Sequence, residues 1–215
     1  AAGSAFAATM SSVEEPPPVT DTLARLVGQA MGKSDQRETL LNELEQDVQQ
    51  AMATEVPVAE DIMLQVESVL QLPELCNGCE ATALAMALSY LGYEADKVDM
   101  AYQYIPREDF VLDEQEDVWY GCNPEQAYPG DPATTMGFYT YPSVVVEGAN
   151  TFLAEQNSAY TAYNASGFTE DDFVRALNHG TPVLVWNTTD GEEPYQNEDF
   201  YWIVAETGKT YIPYM

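Results

Sequence analysis

Four residues of this 215-residue chain stand out for nucleophilic or metal chemistry: Cys76, Cys79, Cys122 and the single histidine, His179. Cys79 follows the turn pair Asn77-Gly78 and opens a run, CEATALAMALSYL, whose Ala, Leu and Met content predicts a buried helix closed by Gly92. A thiol at a helix start meets unpaired backbone N–H groups and the positive end of the helix dipole, and both favour the thiolate. Such a thiol is nucleophilic near neutral pH. Gln71 stands on the segment approaching Cys79, where its amide can join the Cys79 N–H as a second donor to an oxyanion. The competing reading of Cys79 is a small inert residue buried at a helix start, and residue type alone does not separate the two.

Metal chemistry fits less well. Structural zinc sites take four Cys or His ligands, and one CxxC with a distant Cys and His is a poor match, so neither a metal nor a cofactor is expected. The acidic cluster Asp113, Glu114, Glu116 and Asp117 lacks the alternating oxygen ligands and turn glycine of an EF-hand loop and reads as a solvated loop. A thioredoxin-like reading of Cys76-Asn-Gly-Cys79 needs a strand in a βαβ setting, which the sequence does not offer. His179, just before Gly180, falls at a predicted helix C-terminus, where a histidine commonly serves as a structural residue.

The elements that must position Cys79 follow from periodicity. Residues 1–19, rich in small residues and proline, read as a linker, and 20–56 as a helical appendage with Thr20 and Ser34 as caps. Residues 57–215 form the main domain. In it, 61–72 read as a strand or extended lead-in ending at Pro73, and Asp96 caps a short helix that Pro106 ends. Residues 107–141 read as irregular. Pro142 opens a helix burying Val145, Ala149, Phe152 and Leu153, and Thr169 with Asp172 forms a capping box for another. Segments 182–188, 200–205 and 210–215 read as strands, the last two joined by a turn at 206–209. Helices first and strands second is an α+β order.

Composition limits the partners. Asp and Glu number 36 against 7 Lys and Arg, a formal net charge of −29, which disfavours nucleic acid and anionic lipid surfaces and leaves neutral or basic peptides as suitable ligands. No run is long and apolar enough to insert into a membrane. The oligomeric state is not legible.

The segment QLPELCNGCEATALAMALSYLGYEADKVDMAYQYIP resembles the nucleophile region of bacterial C39-like peptidases, papain-like cysteine peptidases related to bacteriocin leader-processing domains. The GDP stretch at 130–132, YPSVVVEGANTFL and GTPVLVWNT extend the resemblance over residues 65–205. It implies a papain-like α+β fold with an antiparallel sheet, peptide or protein substrates, Cys79 as nucleophile and Gln71 in the oxyanion hole. Position 76 carries Cys where such proteins often have Pro, and pairing of Cys76 with Cys122 would leave Cys79 free. The family's general-base histidine lies on a strand after the PVLVW-type strand, with an acid following it. His179 precedes that strand. The resemblance therefore implies a fragment with an incomplete sheet, lacking its base beyond Met215 and inactive or nearly so, from a secreted or cell-surface bacterial thiol protease. The alternative is a surface binding module that kept a peptidase-like fold without catalysis. Trp186, Tyr201 and Trp202 are candidates to line a substrate groove, weighed against ordinary core or sheet-face roles.

Overall fold

The computed structural model describes the backbone of residues 6–12 and, with side chains, residues 62–188, 191–196 and 199–214. The two helices read at 20–52 lie outside the described residues. Ala1–Ser12 group with Asp61–Met215 as one compact unit, and the account below concerns that unit.

The helical layer is built around α1 (Cys79–Tyr90), which buries Ala81, Leu84, Ala85, Ala87 and Leu88. Asp96 caps α2 (Lys97–Asp99) by accepting from the Val98 and Asp99 N–H groups, as its residue type predicts. A π-helical turn, Met100–Tyr104, follows directly and ends before Pro106. The third helix, α3 (Pro142–Glu155), starts with Pro in its first turn and buries Val144, Val145, Ala149, Phe152 and Leu153. The α1 and α3 faces meet with Leu75, Met100 and Ile105 in one aliphatic core. Finally α4 (Glu170–Asn178) carries the expected capping box between Thr169 and Asp172 and ends at Gly180, whose φ of 71° suits glycine.

The described strands form two main sheets, the first packed against the helical layer. In the first, β1 (Phe6–Ser12) lies between β6 (Tyr160–Asn164) and β7 (Val183–Trp186), antiparallel to both, with Met10 opposite Ala162 and Phe6 opposite Trp186. Phe6–Ser12 is thus a strand where the composition predicts a linker. Small residues such as Ala and Ser carry weak strand propensity, and it is the two neighbouring strands that make the segment extended. Asn150 of α3 bonds both the N–H and the C=O of Ala162, at 2.8 and 2.9 Å, so a helix side chain satisfies β6 as a further strand would.

The second sheet has the order β3-β4-β8-β9, from Val111–Asp113, Val118–Gly121, Trp202–Val204 and Lys209–Tyr211. The predicted irregular region at 107–141 therefore contains the β3–β4 hairpin. It also contains a two-residue parallel pair, β2 (Arg107–Glu108) with β5 (Tyr128–Pro129). These strands are too short for an alternating pattern to register. The acidic cluster forms the hairpin turn, where Asp113 accepts from the Gln115 and Glu116 N–H groups. The sheet is mixed and not antiparallel throughout, because β4 and β8 run parallel. A parallel pair needs a long crossover, and about eighty intervening residues, including α3 and α4, supply it. The architecture is α+β, with strands both before and after the helices.

Candidate active site

The loop that carries Cys79 is built by close packing. A Cβ on Gly78 would lie 2.7 Å from Leu75 Cδ1 and 2.8 Å from Leu75 Cβ, so only glycine lets the fully buried Leu75 pass beneath the turn that launches α1. Asn77 is held from three sides: its N–H donates to the Pro132 carbonyl at 2.8 Å, its Nδ2 to Thr134 O at 3.0 Å, and its C=O accepts from Tyr128 Oη at 2.5 Å. The 130–137 turn that supplies two of these partners needs Gly130, which has φ 85° and leaves no room for a Cβ beside Met136 O. Cys79 emerges from this loop as the first residue of α1, exposed.

Gln71 reaches the same loop. Its Nε2 donates to Cys76 O at 2.9 Å, tying the two ends of the 71–76 segment together. An amide NH2 carries two donors, so this bond leaves one proton of the group for another acceptor. Lys97 of α2 clamps the segment from outside, donating to the carbonyls of Leu70 and Gln71 and pairing with Glu74 at 2.7 Å.

The electrostatics at the thiol differ from the helix-start expectation. Cys79 Sγ donates to Glu80 Oε2 at 3.4 Å, and Glu80 is buried. Although Cys79 keeps an exposed face, loss of solvation first and then the neighbouring Glu80 carboxylate push its thiol up to about 12. Helix-dipole stabilisation is limited to fractions of a charge at the first turn, and an adjacent buried carboxylate outweighs it. Burial also raises the Glu80 carboxyl above the ordinary carboxylate range, against the opposing hydrogen bonds it accepts.

Sequence reasoning missed Thr140, which joins three elements at this point. Its N–H donates to Glu80 Oε1 at 3.0 Å, its C=O accepts from Trp186 Nε1 at 2.8 Å, and its Oγ1 donates to Pro124 O at 2.7 Å. No local pattern marks such a residue, since two of the three bonds use only its backbone. Beside it, the hydroxyls of Tyr139 and Tyr141 lie 2.9 and 3.2 Å from that of Tyr211, and the Tyr214 N–H donates to Tyr139 Oη.

His179 is not brought to Cys79. It is exposed and forms the C-cap of α4. The next residue, Gly180, faces the Tyr90 hydroxyl, and Tyr90 closes α1 at the end opposite Cys79, about 16 Å along the axis at ~1.5 Å per residue. Cys76 and Cys122 are both free thiols, which corrects the expected pairing. Cys122 is buried instead, its Sγ donating to Ala127 O and its carbonyl accepting from Trp202 Nε1. Of the groove candidates, Trp202 is fully buried, Trp186 is half-buried through its bond to Thr140, and Tyr201 is exposed. Among the described residues, no three Cys, His, Asp or Glu side chains are grouped to hold a metal ion.

Over 125 residues the chain is 29% identical to YvpB of Bacillus subtilis (strain 168), a match covering 55% of this chain and 44% of that protein. It thus spans less than half the length of this relative. A crystal structure of a protein described as a C39-like peptidase, from Bacillus anthracis, is 35% identical over 43% of this chain and 44% of its own, with a TM-score of 0.37. The Peptidase_C39 like family matches residues 63–208, well over half of the sequence and including every residue of the Cys79 loop, and the chain belongs to that family.

Proposed function

We propose that this chain is part of a thiol peptidase in which Cys79 attacks the scissile carbonyl. The observation that carries this reading is the exposed Cys79 at the first position of α1, on a loop fixed by Gly78, Asn77 and Gln71. First-turn N–H groups of a helix have no intrahelical acceptor, so the Cys79 N–H is placed to stabilise an oxyanion, and the Gln71 amide is the second donor. Attack forms the Sγ–C bond as the thiol proton passes to a base. That base then protonates the leaving amine, and water releases the acyl group. The chain's one histidine caps α4 and is not brought to Cys79, so on this reading the base is a group other than His179.

The net charge of −29 suits neutral or basic peptides by electrostatic attraction. The acidic composition and small-residue N-terminal region also fit a secreted or cell-surface bacterial protein. The test is hydrolysis of unstructured basic peptides by a longer form of the protein and by its Cys79→Ala variant. Turnover should fall by at least about 10³-fold, in line with losses on removing a nucleophile. Unchanged cleavage by Cys79→Ala would overturn the assignment, and cleavage that is lost in His179→Ala would overturn the reading that the base is a group other than His179.

A second reading, a binding module with a peptidase-like fold, is favoured by the surroundings of the thiol: Sγ faces the buried Glu80 carboxyl at 3.4 Å, and loss of solvation with that carboxylate opposes the thiolate. It predicts peptide binding that survives Cys79→Ala with no cleavage in any form of the protein.

A further inference from the structure

Glu80 combines three properties that a spectator beside a nucleophile would not need. It is 6% exposed, its Oε1 accepts from the Thr140 N–H at 3.0 Å, and its Oε2 accepts from Cys79 Sγ at 3.4 Å. Burying a carboxyl costs free energy unless its oxygens are bonded, and here one is held by a distant loop and the other faces the reactive sulfur. The group that acts on Cys79 is Glu80, and those that act on Glu80 are Cys79 and the Thr140 N–H. Tyr128 on β5 feels this pair together with Cys76 and Asp131, none of them cationic. Its single O–H is shared between Asn77 O and Phe138 O.

We propose that Glu80 is a positioning residue for Cys79, anchored through Thr140, that holds the thiol in a proton-bearing resting form. The proposal rests on the reading of Cys79 as nucleophile, but it concerns the thiol's protonation and not turnover. No bond is made or broken: the S–H proton stays on sulfur and is shared with Glu80 Oε2. Ionising Cys79 beside Glu80 forfeits that hydrogen bond and places two negative charges on adjacent residues, so the carboxylate opposes the thiolate.

Glu80→Gln separates this role from a merely structural one. The amide oxygen still accepts from the Thr140 N–H, while the charge is removed and an N–H faces the sulfur instead. The experiment is the rate of Cys79 alkylation against pH in residues 1–215, with mass spectrometry separating Cys79 from Cys76 and Cys122. In Glu80→Gln the midpoint should move down by at least about one pH unit. Thiolate rises about tenfold per unit, but nucleophilicity falls with a Brønsted slope of ~0.4–0.5, so alkylation at neutral pH should rise about threefold. An unmoved or raised midpoint overturns the proposal. The unaltered protein provides a measurement that survives a failure of the variant to fold: its Cys79 midpoint should lie well above that of an ordinary thiol, near ~8.5, and a value at or below that also overturns it. Failure of the longer form to cleave peptides while the midpoint shifts would reject the peptidase reading alone.

Discussion

The core beneath Cys79 is mainly aliphatic, with Phe152 and Tyr128 its buried rings, whereas the β3-β4-β8-β9 sheet is closed by rings. Leu75, Leu84, Leu88, Met100, Val144, Val145 and Leu153 interlock between α1 and α3, each 2% exposed or less. On the other side Phe110 meets Trp119, Phe138, Phe200 and Trp202 edge-on at 5.2–6.4 Å between centroids, while Tyr211 lies 4.6 Å from Trp202. The difference follows from geometry. Two helices bring many short side chains into register, but strands of three or four residues offer few positions, so Trp119, Trp202 and Tyr211 on the strands are joined by Phe110, Phe138 and Phe200 from the segments beside them. The rings also bring polar handles. Trp202 donates to Cys122 O, and Tyr211 bonds two further tyrosines, which fastens short strands that have little ladder of their own. The 138–141 segment touches both regions, with Phe138 among the rings and Thr140 bonded to Glu80, so the Cys79 loop depends on each.

This contrast is breakable. The largest effect is expected from Trp202→Ala, which removes a fully buried indole and leaves the Cys122 carbonyl without its donor; a loss of about 3–5 kcal/mol should appear in urea unfolding. A loss under about 1 kcal/mol would mean that the rings do not hold that sheet. Leu88→Ala, in the aliphatic core, should cost about 2–4 kcal/mol in the same assay, and helix repacking should make the cost smaller than for Trp202. If the two costs come out reversed, the short-strand argument fails.

The smallest effect belongs at the periphery, where Thr169→Ala removes the α4 cap and should cost about 1 kcal/mol. Hydrogen bonds from the Thr169 side chain and backbone, with help from Arg175, hold the Asp172 carboxyl below its ordinary range. A lowered folded value means that this contribution is fully present above the unfolded carboxylate range. It is lost as pH falls through the lowered value. Thermal unfolding of Thr169→Ala should therefore depend less on pH below about 4 than that of the unaltered protein. An equal acid slope in both would show that the cap does not set the Asp172 titration.

Much of the site's local framework is legible in residue order. The start of α1 at Cys79, the Asp96 cap, Pro142 at the head of α3, the Thr169 and Asp172 box and the strands at 183–186, 202–204 and 209–211 all depend on contacts within a few residues, which type and spacing encode directly. The meeting of Gln71 with the Cys79 loop is also short-range. What residue order does not reveal depends on residues far apart in the chain. Phe6–Ser12 becomes a strand only because β6 and β7 accept it, and β4 pairs with β8 only after the intervening helices have folded back. Thr140 becomes a junction through partners at positions 80, 124 and 186. The thiol itself shows the division most sharply. A helix start predicts a stabilised thiolate, because the dipole is a property of the local backbone. The tertiary structure decides otherwise, first because packing takes much of the sulfur out of water and second because Glu80, held by the Thr140 N–H, places a carboxyl beside it.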